Sequence, residues 1–398
     1  MTMDTTFETT FTPATSLEMI ASLRAALSQV MRVDSHTIHE PPVDLIEFVG
    51  QLTRSSNEAF GVIYPAFIAH GYTPMLTQRD GKHIVVAKHG IVEAKKSDTR
   101  INAILLIVTI ASTVLAGTLL YADTSVLGRQ LLSRATDPIE EILVIVRNPA
   151  LWLIGVPYAL TLLGILGVHE MGHYVAARRH KADVTLPYFI PMPIGLGTMG
   201  AVIRLKSPIK NRRQLFDIGV AGPLAGLAVA VPLLIFGLVT SEVLYVGRVP
   251  LGGQEGNSIL YLLLKFITKG QILPSHGFDV ILNSIAFPAW FGLVITMINL
   301  LPIGQLDGGH VVFSMYGRAQ WKIATIAEVA LLVLGVYLAF RTGQFLNVWI
   351  LWAILAQVFG LRHPPPLDDI TPLDRRRKLV GWATFLIFIL IFTPLPFS

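Results

Sequence analysis

Two histidines four positions apart, His169 and His173, share one face of any helix that carries them, and Glu170 lies between. Imidazoles at that spacing can hold one Zn²⁺, and the intervening carboxylate can take a proton from water that the ion has acidified. In an aqueous domain this pattern means a metallohydrolase. Here His169-Glu170-Met171-Gly172-His173 falls inside an apolar run long enough to cross a bilayer, where titratable side chains are costly and rarely kept without a task.

Two imidazoles leave zinc short of at least one protein ligand. A third histidine six residues after His173 would suit one soluble class, but Arg179 stands there. His180 and Asp183 follow the motif closely, yet lie past the helix end among basic residues. Asp307, in Asn299-Leu300-Leu301-Pro302-Ile303-Gly304-Gln305-Leu306-Asp307-Gly308, is the stronger candidate. The expected centre is therefore one Zn²⁺ held by His169, His173 and Asp307 with an open fourth position, and Glu170 as general base. Asn299 is read either as a donor to a developing oxyanion or as a hydrogen bond between helices. Pro302 and Gly304 break the helix beside Asp307, which suits a cleft better than a packed span. His310 reads as a partner of the ligands, and Glu328 as a proton relay or an interhelical contact.

The elements that must position these residues follow from composition. The chain has 398 residues, 53% hydrophobic and 14% charged, which places it among polytopic membrane proteins. With no cysteine, disulfides and thiolate sites are excluded, so a zinc site must use nitrogen and oxygen donors. The net charge of +5 is spread over loops and marks topology rather than nucleic-acid contact. Residues 1–16 lack an early apolar core, so no cleavable signal peptide is expected.

Seven spans are expected, at roughly 101–122, 150–177, 215–239, 285–305, 323–340, 345–361 and 379–396. Their loops divide eighteen basic residues from seven, which orients the N-terminus in the cytosol and the C-terminus outside. The eighteen include Lys95, Lys96, Arg178, Arg179 and Arg375–Lys378; the seven include Arg134 and Arg248. The second and fourth spans then run in the same direction, and the His169/His173 and Asp307 motifs reach the same face. Ala221-Gly222-Pro223-Leu224-Ala225-Gly226 carries a small-residue spacing that should pack the third span on the motif helix.

Val184–Leu205 is apolar but interrupted by Pro187, Pro191, Pro193, Gly195, Gly197 and Gly200, so it should enter and return as two extended segments. Its edge could receive an unwound peptide by strand addition. Ile259–Ile267 is too short to span and reads as interfacial or re-entrant. Residues 1–96 read as a small cytosolic α+β domain, with helices over Leu17–Val33 and from Pro41-Pro42 to about Arg54. A hairpin is expected around Asp80-Gly81.

These motifs resemble the site-2 protease family of intramembrane zinc metalloproteases. The resemblance covers residues 150–315 and rests on Gly167–His173, Gly200-Ala201-Val202-Ile203, the Ala221–Gly226 segment and Asn299–Gly308. It is to the branch without a PDZ or nucleotide-sensing domain. It implies His169, His173 and Asp307 as zinc ligands and Glu170 as the catalytic acid/base. It also implies hydrolysis of transmembrane protein substrates near the cytosolic face. The expected protein is a polytopic all-α membrane enzyme of about seven helices with a re-entrant hairpin, spanning 97–398 with its core near 150–315. Its partners are the lipid bilayer and membrane-spanning substrates, not nucleic acid. Without a transit-like leader, the expected location is the plasma membrane rather than a plastid membrane. The rival readings are a membrane metal transporter, which would need polar groups along a path through the bilayer, and an inactive protease-like scaffold.

Overall fold

The computed structural model describes residues 17–39, 45–92, 97–133, 135–193, 195–247 and 255–397. Residues 1–16, Pro41-Pro42, Lys95, Lys96, Arg134 and Arg248, used above, lie outside the described residues. The chain is mostly helical, with a small α+β region at its N-terminal end.

That region begins with α1, Leu17–Ser28, whose Ile20, Leu23 and Leu27 recur at helical spacing and are buried. The helix stops short of the expected Val33, because Met31 and Val33 belong to strand β1, Met31–His39. The second expected helix is a strand instead: β2 covers Leu45–Leu52, and its alternation buries Ile46 and Phe48. Period-two burial outweighs the helix reading there. Helix α2, Ser56–Ala69, is capped by Ser55 and buries Ala59, Phe60, Ile63 and Phe67. Strands β3, Tyr72–Arg79, and β4, Lys82–His89, form the expected hairpin, with positive φ at both Asp80 and Gly81. The antiparallel sheet runs β1-β2-β4-β3 and shares one core with α1 and α2.

Among the described residues, four stretches are long and apolar enough to cross a membrane. Helix α3 spans Thr99–Tyr121, and after the short helices α4, Val126–Leu132, and α5, Pro138–Arg147, comes α6, Pro149–Arg179. Helix α7 spans Arg212–Thr240. The fourth stretch, Asp307–Thr342, comprises α10, Asp307–Tyr316, and α11, Gln320–Thr342, around a 3-10 turn at Gly317–Ala319. Three further expected spans are shorter helices: α9, Ala286–Asn299; α12, Val348–Phe359; and α13, Arg375–Ile391. Of these, α9 has 14 residues against about 20 for a straight crossing, because the chain breaks from helix before Pro302. Its buried Trp290, Leu293 and Met297 pack into the largest apolar core, together with Leu227, Ala230 and Leu234 of α7.

Strands β5, Tyr188–Pro191, and β6, Thr198–Val202, form the antiparallel hairpin, prolonged by a bridge between Val184 and Leu205. Polar side chains of α3 and α6 hold it. Ser112 Oγ donates to the Gly197 carbonyl at 2.7 Å, Tyr158 OH to the Leu196 carbonyl at 3.2 Å, and Asn102 Nδ2 to the Leu186 carbonyl at 2.9 Å. Gly197 sits at φ +83° with its backbone so close to α3 that a Cβ would lie 2.4 Å from Thr113 Cα. At the far end of α7, strands β7, Glu242–Tyr245, and β8, Phe278–Ile281, flank the amphipathic helix α8, Ile259–Lys269. Lys265 is fully buried there between Glu255 and Asp279, at 3.3 and 3.0 Å.

The segment after α12 ties the two parts of the molecule together. Leu76 of edge strand β3 donates to the Leu367 carbonyl and accepts from Asp369, at 2.6 and 3.1 Å. Leu367 and Asp368 in turn donate to the carbonyls of Ile209 and Lys210, just before α7.

Candidate metal centre

Helix α6 carries His169, Glu170 and His173, all buried, where it meets α7. The approach is possible only because α7 presents glycines. A Cβ on Gly222 would stand 2.1 Å from His173 Nε2, and one on Gly226 would stand 3.3 Å from His169 Nδ1. In the other direction, a Cβ on Gly172 would meet the Ala221 carbonyl at 2.5 Å. The Ala221–Gly226 segment therefore packs against the motif helix, as the small-residue spacing suggests.

Asp307 reaches the same point from a different element. Rather than ending a span, it begins α10, after a tight loop over Leu300–Leu306. Gly304, at φ +51°, sits where a Cβ would meet the Gly360 carbonyl at 2.2 Å, so only glycine allows this turn. The loop returns the chain so that Asp307 Oδ2 lies 3.2 Å from His169 Nε2 and Oδ1 lies 3.2 Å from His173 Nε2. The two Nε2 atoms are 3.1 Å apart.

These separations identify the kind of occupant. His173 Nδ1 lies 2.7 Å from the Ile218 carbonyl, an acceptor only, so the proton sits on Nδ1 and Nε2 turns a lone pair inward. That lone pair faces another imidazole nitrogen and a carboxylate. A cation satisfies such a cluster of lone pairs, and donors about 2.0–2.1 Å from a tetrahedral zinc lie roughly 3.3–3.4 Å from one another. The observed edges are close to that, so the donor set fits zinc. Glu170 places a carboxylate oxygen within 4.8 Å of both imidazole nitrogens, and it accepts from the Ile203 backbone just beyond β6. Asp307 meets both imidazole nitrogens at 3.2 Å, and Glu170 lines the cavity beside the cluster.

A cavity of about 610 Å³ opens on this cluster. One wall is the β6 strand and its continuation, Ala201–Leu205; another is Pro364–Leu367; Asn299, His310 and His363 also line it. Asn299 thus ends α9 at the cavity wall. His310 joins His363, Nδ1 to Nε2 at 2.6 Å, rather than touching the ligand atoms. His363 was not singled out in the sequence, since it sits in a proline-rich loop far along the chain. Its nearness to His310 is the only clue, and that clue is tertiary. His180 binds Asp217 at 2.8 Å and Asp183 lies 4.0 Å from Arg178, so neither joins the cluster. Glu328 accepts from Gln357 of α12 and is an interhelical contact.

Residues 157–340 match peptidase family M50. Among similar proteins is the probable zinc metalloprotease EGY2, chloroplastic, of Oryza sativa subsp. indica, 34% identical over 247 residues, or 61% of this chain and 43% of that protein. The Arabidopsis thaliana EGY2 protein is 32% identical over 61% of this chain and 42% of its own length. The Arabidopsis thaliana EGY1 protein is 34% identical over 58% and 42%. The chain therefore matches less than half the length of these relatives. All three are named chloroplastic, so the plasma-membrane location expected from the sequence draws no support from them. No solved structure matches the chain. The stretch that matches peptidase family M50, residues 157–340, carries His169, Glu170, His173, Asn299 and Asp307.

Proposed function

We propose that this protein is an intramembrane zinc metalloprotease that hydrolyses peptide bonds in membrane-spanning protein substrates. The observation that carries the reading is the convergence of His169 Nε2, His173 Nε2 and the Asp307 carboxylate at 3.1–3.2 Å, inside helices apolar enough to lie in a bilayer. These three residues would hold one Zn²⁺. When bound, zinc supplies Lewis acidity, polarising a carbonyl oxygen and acidifying water toward a pKa of about 7.

The remaining steps belong to the chain. Glu170, held by the Ile203 backbone and facing the cavity, takes the proton from the attacking water and passes it to the leaving amine. Asn299, on the cavity wall, donates to the carbonyl oxygen as charge develops there. A helical substrate hides its carbonyls in its own hydrogen-bond ladder, so it must first unwind. Among the described strands β6 pairs only with β5, which leaves its other edge for an extended substrate segment.

In this reading the chain crosses the membrane about seven times, with α9, α12 and α13 as short or tilted crossings and β5–β6 dipping in from the basic face. Residues 1–96 form a separate domain on that face and 97–398 the membrane enzyme. The basic-loop asymmetry orients the N-terminus to the cytosolic side, on which the chain is made.

The test is co-expression with a helical membrane substrate, comparing wild type with Glu170→Gln. Loss of a general base lowers cleavage by about 10²–10⁴-fold while zinc content persists. Equal cleavage by both proteins would end the hydrolase reading.

A further inference from the structure

A second cavity, about 640 Å³, lies on the opposite side of α7 from the metal cluster, between the C-terminal end of α6, the start of α7 and the start of α13. Its charges are unequally satisfied. Asp217 is consumed entirely: Arg377 Nε donates to Oδ1 at 2.8 Å, and Arg377 NH2 and His180 Nε2 meet Oδ2 at 2.6 and 2.8 Å. Asp374 is bound by the remaining arm of Arg377. The carboxylates are therefore spoken for by Arg377 and His180. Two further cavity arginines, Arg179 in the last turn of α6 and Arg376 in the first turn of α13, are exposed and form no ion pair among the described residues.

The remaining lining is apolar. Phe216, Val220 and Ala221 of α7 form one wall, and Val380, one turn along α13, is exposed beside them. Two open guanidinium groups above an apolar wall, at the basic end of membrane-spanning helices, match a molecule with an anionic phosphate at one end and hydrocarbon at the other. The cavity volume lies in the range of small-molecule sites. A soluble phosphate would use the arginines and leave the apolar wall idle.

We propose that this cavity binds the phosphodiester headgroup of an anionic membrane lipid through Arg179 and Arg376, with the proximal acyl chain against Ala221 and Val380, below which Phe216 and Val220 are buried. Arg377 acts differently: clamped between Asp217 and Asp374, it fixes α13 to α7 and shapes the site. The lipid thereby bridges the helix that carries His169 and His173 to the last helix of the chain.

The test uses the full-length protein in nonionic detergent, titrated with phosphatidylglycerol or with phosphatidylcholine of the same acyl chains, and counts retained lipids by native mass spectrometry. Phosphatidylglycerol should be retained and phosphatidylcholine should not. Each arginine near a charged lipid surface contributes about five-fold in affinity, so Arg179→Gln with Arg376→Gln should weaken retention by roughly thirty-fold. A control pair of equal charge outside the cavity, Arg178→Gln with Lys378→Gln, should change it less than about three-fold. Zinc content, measured in parallel, should stay at the wild-type value in both. Equal retention of the two lipids, or an equal loss in the control pair, would overturn the proposal. Displacement of the lipid by millimolar glycerol 3-phosphate would overturn it as well, since the site would then belong to a soluble phosphate.

Discussion

Gly222→Ala is the sharpest perturbation that the metal cluster offers. The added Cβ would stand 2.1 Å from His173 Nε2 and 2.5 Å from both neighbouring ring carbons. An ordinary contact needs about 3.4 Å, so ring and helix must separate by roughly 1.3 Å. The ring cannot simply rotate away, because its Nδ1 is tied to the Ile218 carbonyl at 2.7 Å, on the same helix that would carry the new methyl group. Metal–ligand distances tolerate only about 0.2 Å, so the shift is several times what a coordination bond can absorb. Zinc affinity should fall by at least roughly 100-fold, the upper effect of merely disturbing a ligand's support. Cleavage should fall at least as far, since about 1 Å of misplacement is enough. Gly226→Ala supplies the comparison within the same segment. Its Cβ would meet His169 at 3.2–3.3 Å, which a shift of a few tenths of an ångström relieves. Metal content by inductively coupled plasma mass spectrometry and cleavage of a model transmembrane substrate should separate the two variants clearly. If Gly222→Ala purifies with full zinc and full activity, the packing argument is wrong.

Three further outcomes follow from particular contacts. Asp307→Asn keeps the shape of the side chain but removes its charge; zinc affinity measured against a chelator should drop by about 100-fold or more, and an unchanged value would shift the third-donor role to another residue. Ile203→Pro deletes the backbone N–H that reaches Glu170; cleavage should fall by about 10–100-fold with zinc retained, and wild-type rates would show that Glu170 needs no such support. Burial pushes the His363 imidazole down to about 3, from an ordinary 6.5. Between those values the unfolded chain binds a proton that the folded chain refuses, so stability is complete above about 6.5 and falls as pH drops. His363→Gln should flatten that decline between pH 6.5 and 4 in thermal unfolding of the detergent-solubilised protein. An identical slope in both proteins would remove His363 from the account.

The centre was legible wherever a local pattern had only one physical use. His169 and His173 share a helix face by spacing alone, and the direction of the spans allowed Asp307 to reach them from more than 130 residues away. The position of Asp307 within its element was less accessible. The sequence suggested the end of a span, whereas Gly304 turns the chain so that Asp307 opens the next helix. In the N-terminal region, Asp80-Gly81 announced its hairpin because a two-residue turn has few chemical solutions. The β2 strand was missed because Pro41-Pro42 looked like a helix start, while the decisive alternation of Ile46 and Phe48 is only six residues from a turn signal. The tie among Leu76, Leu367 and Ile209 left no trace in either local pattern, because each partner reads as ordinary loop or edge strand until the fold brings them together.

The cavity's two long walls are chemically unlike. Along Ala201–Leu205 the backbone carries amide hydrogens as well as carbonyls, some already engaged with Glu170, Thr185 and β5, whereas Pro364, Pro365 and Pro366 possess carbonyls but no amide hydrogens. On the proposed reading, a peptide threaded between them would zip onto one bank and only slide along the other. Its alignment over Glu170 is then dictated from a single side, and the proline bank behaves as a rail that keeps the guest straight without gripping it.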